Sequence, residues 1–167
     1  IEPKPNYPIM MMDTNISSDI ETSKSPTTVG KIKIETAAWL AKYFEENAPA
    51  IWVGHHPILA HAKSERTGNT LENADEINPL LKEQGINVLF AGHIHAQNIS
   101  SDGLTREIIT GALSIFPNSI GEITLNADGL TYNHRELAVE AWAEATNQTD
   151  PDLLSYSQTS YDIFYDY

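Results

Sequence analysis

A chain of 167 residues and 18.5 kDa is long enough for one domain with a real core, and its 41% hydrophobic content is ordinary for a globular protein. The 23 Asp and Glu against 10 Lys and Arg give a formal charge of −13, a surface that repels nucleic acid and anionic membranes. There is no cysteine, which excludes disulfides and thiolate metal sites, and no run of 18 apolar residues offers a membrane segment. A phosphorylated substrate stays compatible with the acidic balance, because metal ions at a site reverse the local field. The start, Ile1-Glu2-Pro3-Lys4-Pro5, carries neither an initiating Met nor a signal peptide. It reads as a cut into a longer protein, and both a cytoplasmic and an exported bacterial origin fit.

Ile9-Met10-Met11-Met12, ending in Asp13, is an apolar run of strand length. The stretch from Thr14 to Gly30, rich in Ser, Thr, Asp and Asn, reads as a surface loop. From Ile32 to Asn47 the apolar positions Ile34, Ala37, Ala38, Ala41 and Phe44 recur at helical spacing and predict an amphipathic helix. Ala50-Ile51-Trp52-Val53 predicts a strand buried on both faces. A second helix is expected from about Ala74 to Gln84, closed by Gly85, with Pro79 predicting a late start or a kink. Asn73 before it suits a helix cap. Asn87-Val88-Leu89-Phe90-Ala91 is a second buried strand, so the order is that of an α/β fold with both strands in one sheet. Thr105 to Thr110, Gly121 to Leu125 and Leu130 to Glu136 then read as strands, with Asp102-Gly103 as a turn and Ala127-Asp128-Gly129 as a hairpin connection. Residues 1–145 form the expected domain, and 146–167 a tail in which Asp150-Pro151 opens a helical segment.

Five of the six histidines fall between residues 55 and 95, and they follow the two buried strands. His55-His56-Pro57 follows the first, with His61 close behind, and Gly92-His93-Ile94-His95 follows the next. Ligands of open α/β sheets bind at the carboxyl ends of strands, where these imidazoles are expected. Residues two apart in extended chain point the same way, so His93 and His95 can face one pocket. Neutral imidazole is the commonest metal ligand, and two histidine groups on neighbouring strand ends predict a metal site. His61 reads as loop surface, and His134 as an exposed residue of a later strand.

Val53-Gly54-His55-His56-Pro57 and Phe90-Ala91-Gly92-His93-Ile94-His95 resemble the last two motifs of the calcineurin-like metallophosphoesterases. The likeness extends through the intervening helix to Ile109-Thr110-Gly111-Ala112-Leu113-Ser114 and spans most of residues 8 to 140. Met12-Asp13-Thr14-Asn15 resembles a strand of bacterial members akin to cyclic-nucleotide phosphodiesterases. The resemblance implies a four-layer αββα sandwich, here its C-terminal part, with a dinuclear site at one edge. By position, His55 and His93 would bind the second metal and His95 the first, with His56 at a variable position, read either as a histidine near the rim or as a substrate contact. The implied cofactors are two divalent ions, Mn, Fe, Zn or Co. The implied reaction is hydrolysis of a phosphate ester by a two-metal-activated hydroxide, with small phosphodiesters as first expectation and a serine/threonine protein phosphatase as second.

The family's other motifs, Asp-x-His, Gly-Asp-x-x-Asp and Gly-Asn-His-Asp/Glu, occur nowhere in residues 1–54. The catalytic His and the remaining ligands are therefore expected from a missing N-terminal segment, and this chain alone is expected to be inactive. Asp13 reads as structural or supporting. Two rival readings are a degenerate, noncatalytic relative acting as a binding or structural module, and a mononuclear three-histidine site at His55, His93 and His95.

Overall fold

The computed structural model describes residues 8–16, 28–46, 51–62, 69–126 and 128–166. Two compact units divide the chain, with a boundary between His93 and Ile94. The first is mixed α/β and contains strands β1 (Ile9–Met11), β2 (Ile51–Val53), β3 (Val88–Ala91), β4 (Asn98–Ser101) and β5 (Arg106–Ile109), with helices α1 (Ile34–Glu46) and α2 (Ala74–Glu83). Its five-stranded sheet has the order β1-β2-β3-β5-β4; only β4 runs against its neighbour.

The order follows from the connections. Parallel neighbours need a crossover, and α1 supplies one between β1 and β2 while α2 supplies the next between β2 and β3. Four residues suffice between β4 and β5, where Asp102 Oδ1 accepts the amides of Leu104 and Thr105 and Gly103 takes a φ of 96°. That short turn forces the antiparallel pair. Met10, Trp52 and Leu89 are register partners across β1, β2 and β3, and all three are buried. Leu40 and Phe44 of α1 and Ile77 and Leu81 of α2 pack into the same core. Truncating a residue such as Leu40 to Ala should cost about 2–5 kcal/mol.

Helix α2 ends as the sequence leads one to expect. Gly85 adopts a φ of 71°, its amide bonds to Lys82 O at 3.0 Å, and the Ile86 amide bonds to Leu81 O at 2.9 Å. This is a Schellman closure, and buried Ile86 turns the chain directly into β3. The helix starts at Ala74 with Pro79 inside it, so the proline does not delay the start. Strand β3 is buried at Leu89, Phe90 and Ala91, whereas in β2 only Trp52 is fully buried. Part of the 14–30 loop lies outside the described residues. No helix among the described residues is long and apolar enough to cross a membrane.

The second unit holds residues 94–97 and, from residue 110 onward, the hairpin β6 (Ser119–Asn126) and β7 (Gly129–Glu136) and helices α3 (Val139–Ala145), α4 (Pro151–Leu154) and α5 (Tyr156–Asp166). Asn126 Oδ1 accepts the amides of Asp128 and Gly129 and closes the hairpin. Asp150 caps α4 by accepting the Asp152 amide, with Pro151 at the first helical position. Asn118, at φ 52°, joins the elements: its side chain donates to Leu113 O, and buried Ser160 of α5 donates to its Oδ1.

Candidate metal centre

The parallel ladder between β2 and β3 continues beyond the strands and sets the site. Trp52 lies opposite Leu89 and Val53 opposite Phe90. The Gly54 amide then donates to Phe90 O at 2.9 Å, and the Gly92 amide to His55 O at 3.0 Å. With the same offset, His56 falls opposite His93. Two strand-end loops are thereby sewn together, and their imidazoles meet.

Three rings form the cluster. The His55 and His93 centroids are 5.2 Å apart at 74°, those of His56 and His93 4.3 Å at 48°, and those of His55 and His56 4.9 Å at 85°. One nitrogen from each lies within 4.8 Å of the others, near the span that one ion with bonds of about 2.1 Å can bridge. His93 holds a left-handed backbone, φ 66°, and so does His95 at φ 56°. A residue with a Cβ pays roughly 1 kcal/mol or more for that conformation, and such strain concentrates at functional sites.

His56 differs from its neighbours. It is 2% exposed, and its Nε2 faces the Thr28 carbonyl at 3.1 Å, so that nitrogen carries the proton. Its Nδ1 lone pair accepts from the Thr14 hydroxyl at 2.8 Å, and Thr14 Oγ1 in turn accepts the His56 amide at 3.2 Å. Burial is the main cause that pushes the His56 pKa below its ordinary value; the Thr28 carbonyl opposes it, and electrostatic repulsion from His93 and His55 acts with it. His56 is thus a neutral imidazole with both nitrogens engaged. Although His56 lies within the geometric cluster, an ion on its Nδ1 would displace Thr14, so His55 and His93 are the better donors.

Close packing locks this arrangement. Gly30 lies so near His56 that an added Cβ would stand 2.2 Å from the ring's Cγ. Asn73 occupies the cap position of α2 without a capping bond. Its amide instead pins Ile32, accepting from the Ile32 amide at 3.1 Å and donating to the Ile32 carbonyl at 2.9 Å. The pairing of a buried amide with a backbone 41 positions away is invisible to local pattern. Asp13 is exposed and accepts from the backbone and side-chain amides of Asn15, which lower its pKa, the backbone contribution being the larger. It forms a local turn that presents Thr14 inward.

His95 belongs to the second unit and is half-buried there. His134 is exposed on β7. The His61 side chain is only 2% exposed, contrary to its reading as loop surface, and its Nε2 stands 3.2 Å from Glu107 Oε2. Glu107, Thr14 and Gly30 escape the sequence reading; only Glu107, a lone charge inside the Thr105–Thr110 strand pattern, leaves a trace in it. Compared with known protein families, the chain matches no family model, and no curated protein matches it.

Proposed function

We propose that this chain carries part of the dinuclear centre of a phosphoesterase, within a four-layer αββα sandwich. One observation carries the reading: His55 and His93 meet at the carboxyl ends of adjacent parallel strands, with His93 held in a left-handed backbone. The donor set fits. Among the described residues the cluster is imidazole alone, which suits Zn, Fe or Co, whereas Mn draws on oxygen ligands as well. By the resemblance of the two histidine motifs, His55 and His93 would hold one ion, and the resemblance alone assigns His95 to a second.

Bound divalent ions supply charge for the phosphoryl oxygens and lower the pKa of water. The chain's own residues bind and orient. The β2–β3 backbone bonds fix the His55 and His93 loops, and neutral His56 packs behind both rings without adding positive charge that would repel a cation. With a net charge of −13, the protein lacks a general attraction for anions, so a phosphate ester needs the metal to dock. The resemblance of Met12-Asp13-Thr14-Asn15 to bacterial members akin to cyclic-nucleotide phosphodiesterases favours small phosphodiesters as the substrate class. Two histidines on an ion leave it under-coordinated, and further ligands from outside this cluster complete the working enzyme. The chain alone is accordingly silent in catalysis.

Inorganic phosphate binding with and without Mn²⁺ tests the reading. Phosphate should bind only with Mn²⁺ present, and reciprocally strengthen Mn²⁺ binding, with both effects lost in His93→Ala. Phosphate binding that ignores Mn²⁺, or no effect of phosphate on Mn²⁺ affinity at millimolar concentration, refutes a phosphoesterase centre.

A further inference from the structure

Glu107 stands where the sheet calls for an apolar residue. It lies opposite Leu89 in the β3–β5 register, and the same row continues to Trp52 and Met10, all core residues. Register partners share a face of the sheet, so Glu107 points toward that core, and it is 0% exposed. A carboxylate there is strongly unfavourable unless its oxygens are met by donors.

Those donors come from one loop. The Ile58 amide donates to Oε1 at 2.8 Å and to Oε2 at 3.1 Å, and the Leu59 amide donates to Oε2 at 2.6 Å. His61 Nε2 adds its contact to the same oxygen. Strand β4 holds the loop's carbonyls: Asn98 Nδ2 donates to His61 O at 2.8 Å and Ser100 Oγ to Ala60 O at 2.6 Å. The segment 58–61 is thus laced to two strands that are not neighbours of β2 in the sheet. It directly follows His55-His56-Pro57.

We infer that Glu107 is a positioning residue for the histidine pair. By holding the amides just beyond Pro57, it fixes the chain that carries His55 and so sets the His55 ring against His93. Charge-assisted bonds to two successive amides resist rotation of that turn better than apolar packing does, which gives a buried charge a reason to be there. Groups bonded directly to a metal ligand typically carry about 10–100-fold in metal affinity, and Glu107, acting on the ligand's loop at one remove, falls at the lower end of that range. The inference rests on the metal-centre reading for its consequence, but the positional effect on the rings is independent of it.

The test uses Glu107→Gln in the full chain, with Leu40→Ala as a control that weakens the core from α1. Two quantities are read: Zn²⁺ affinity by titration, and the ring ¹⁵N resonances of His55 and His93 in metal-free protein, both well below the melting temperature. Glu107→Gln should bind Zn²⁺ at least about tenfold more weakly and shift both ring resonances, while Leu40→Ala leaves both unchanged. Wild-type affinity and unshifted rings in Glu107→Gln overturn the inference. Should the wild type take up no Zn²⁺, the metal reading fails by itself, and the ring resonances still decide the role of Glu107. If Glu107→Gln does not fold, His61→Gln loosens the same contacts from the loop side and is judged by the same two readouts.

Discussion

Adding one methyl group at Gly30 should be among the most damaging small changes in this protein. A Cβ there would stand 2.2 Å from Cγ, 2.3 Å from Nδ1 and 2.7 Å from Cδ2 of the His56 ring. Carbon atoms settle about 3.5–4.0 Å apart, so the ring must retreat by more than ~1 Å. It has nowhere to go: it is buried, bonded to Thr14 on one side and Thr28 on the other, and packed at a tilt against His93. Overpacking of this kind costs about 1–3 kcal/mol. Losing the two ring hydrogen bonds adds about 0.5–1.5 kcal/mol each, so Gly30→Ala should lose roughly 2–6 kcal/mol. Urea unfolding followed by far-ultraviolet circular dichroism measures it. Thr14→Val supplies a check, because it removes one of the bonds that Gly30→Ala breaks. The double variant should then lose less than the sum of the two single losses. A loss below about 0.5 kcal/mol for Gly30→Ala, or strict additivity with Thr14→Val, would refute the packing described for His56.

Asn73→Ala should cost about 1–3 kcal/mol, since it strands the buried Ile32 amide and carbonyl, whereas a loss of a few tenths would restore the simple capping role. Asp102 governs part of the acid response. Its pKa is held well below the ordinary carboxylate range, first by the Lys82 ammonium at 2.6 Å, then by the Thr105 amide, with Asn78 and Leu104 also donating. A lowered folded pKa contributes stability that is present above the unfolded value of about 3.9 and lost as pH falls below it. Asp102→Asn should therefore be less stable than wild type near neutral pH, with the difference shrinking below about pH 4; a difference that grows on acidification contradicts this.

What the sequence disclosed and what it hid divide along a physical line. The strands β2 and β3 were legible because Ile51-Trp52-Val53 and Val88-Leu89-Phe90-Ala91 are apolar runs bounded by turn residues, although β2 is buried only at Trp52. The β6–β7 hairpin was legible from its turn, and α4 from Asp150-Pro151. His55 and His93 were singled out by their place after those strands, and they do lie side by side. Strand β4 was missed because Asn98-Ile99-Ser100-Ser101 has little apolar pattern; it is made a strand by pairing with β5. Helix α3 also went unread. The roles of Asn73, His61 and Glu107 depend on partners 41 to 49 positions distant. Such contacts are created by the fold and leave no local period.

On the proposed reading, His55 and His93 hold a metal ion while His56 supports them. Calorimetric titration of the chain with Mn²⁺ at neutral pH, alongside His55→Ala, His93→Ala and His56→Gln, tests it most directly. Weak uptake of at most one ion is expected, abolished in His55→Ala and His93→Ala and kept, with lower affinity, in His56→Gln. Mn²⁺ binding that persists unchanged in His93→Ala would contradict it.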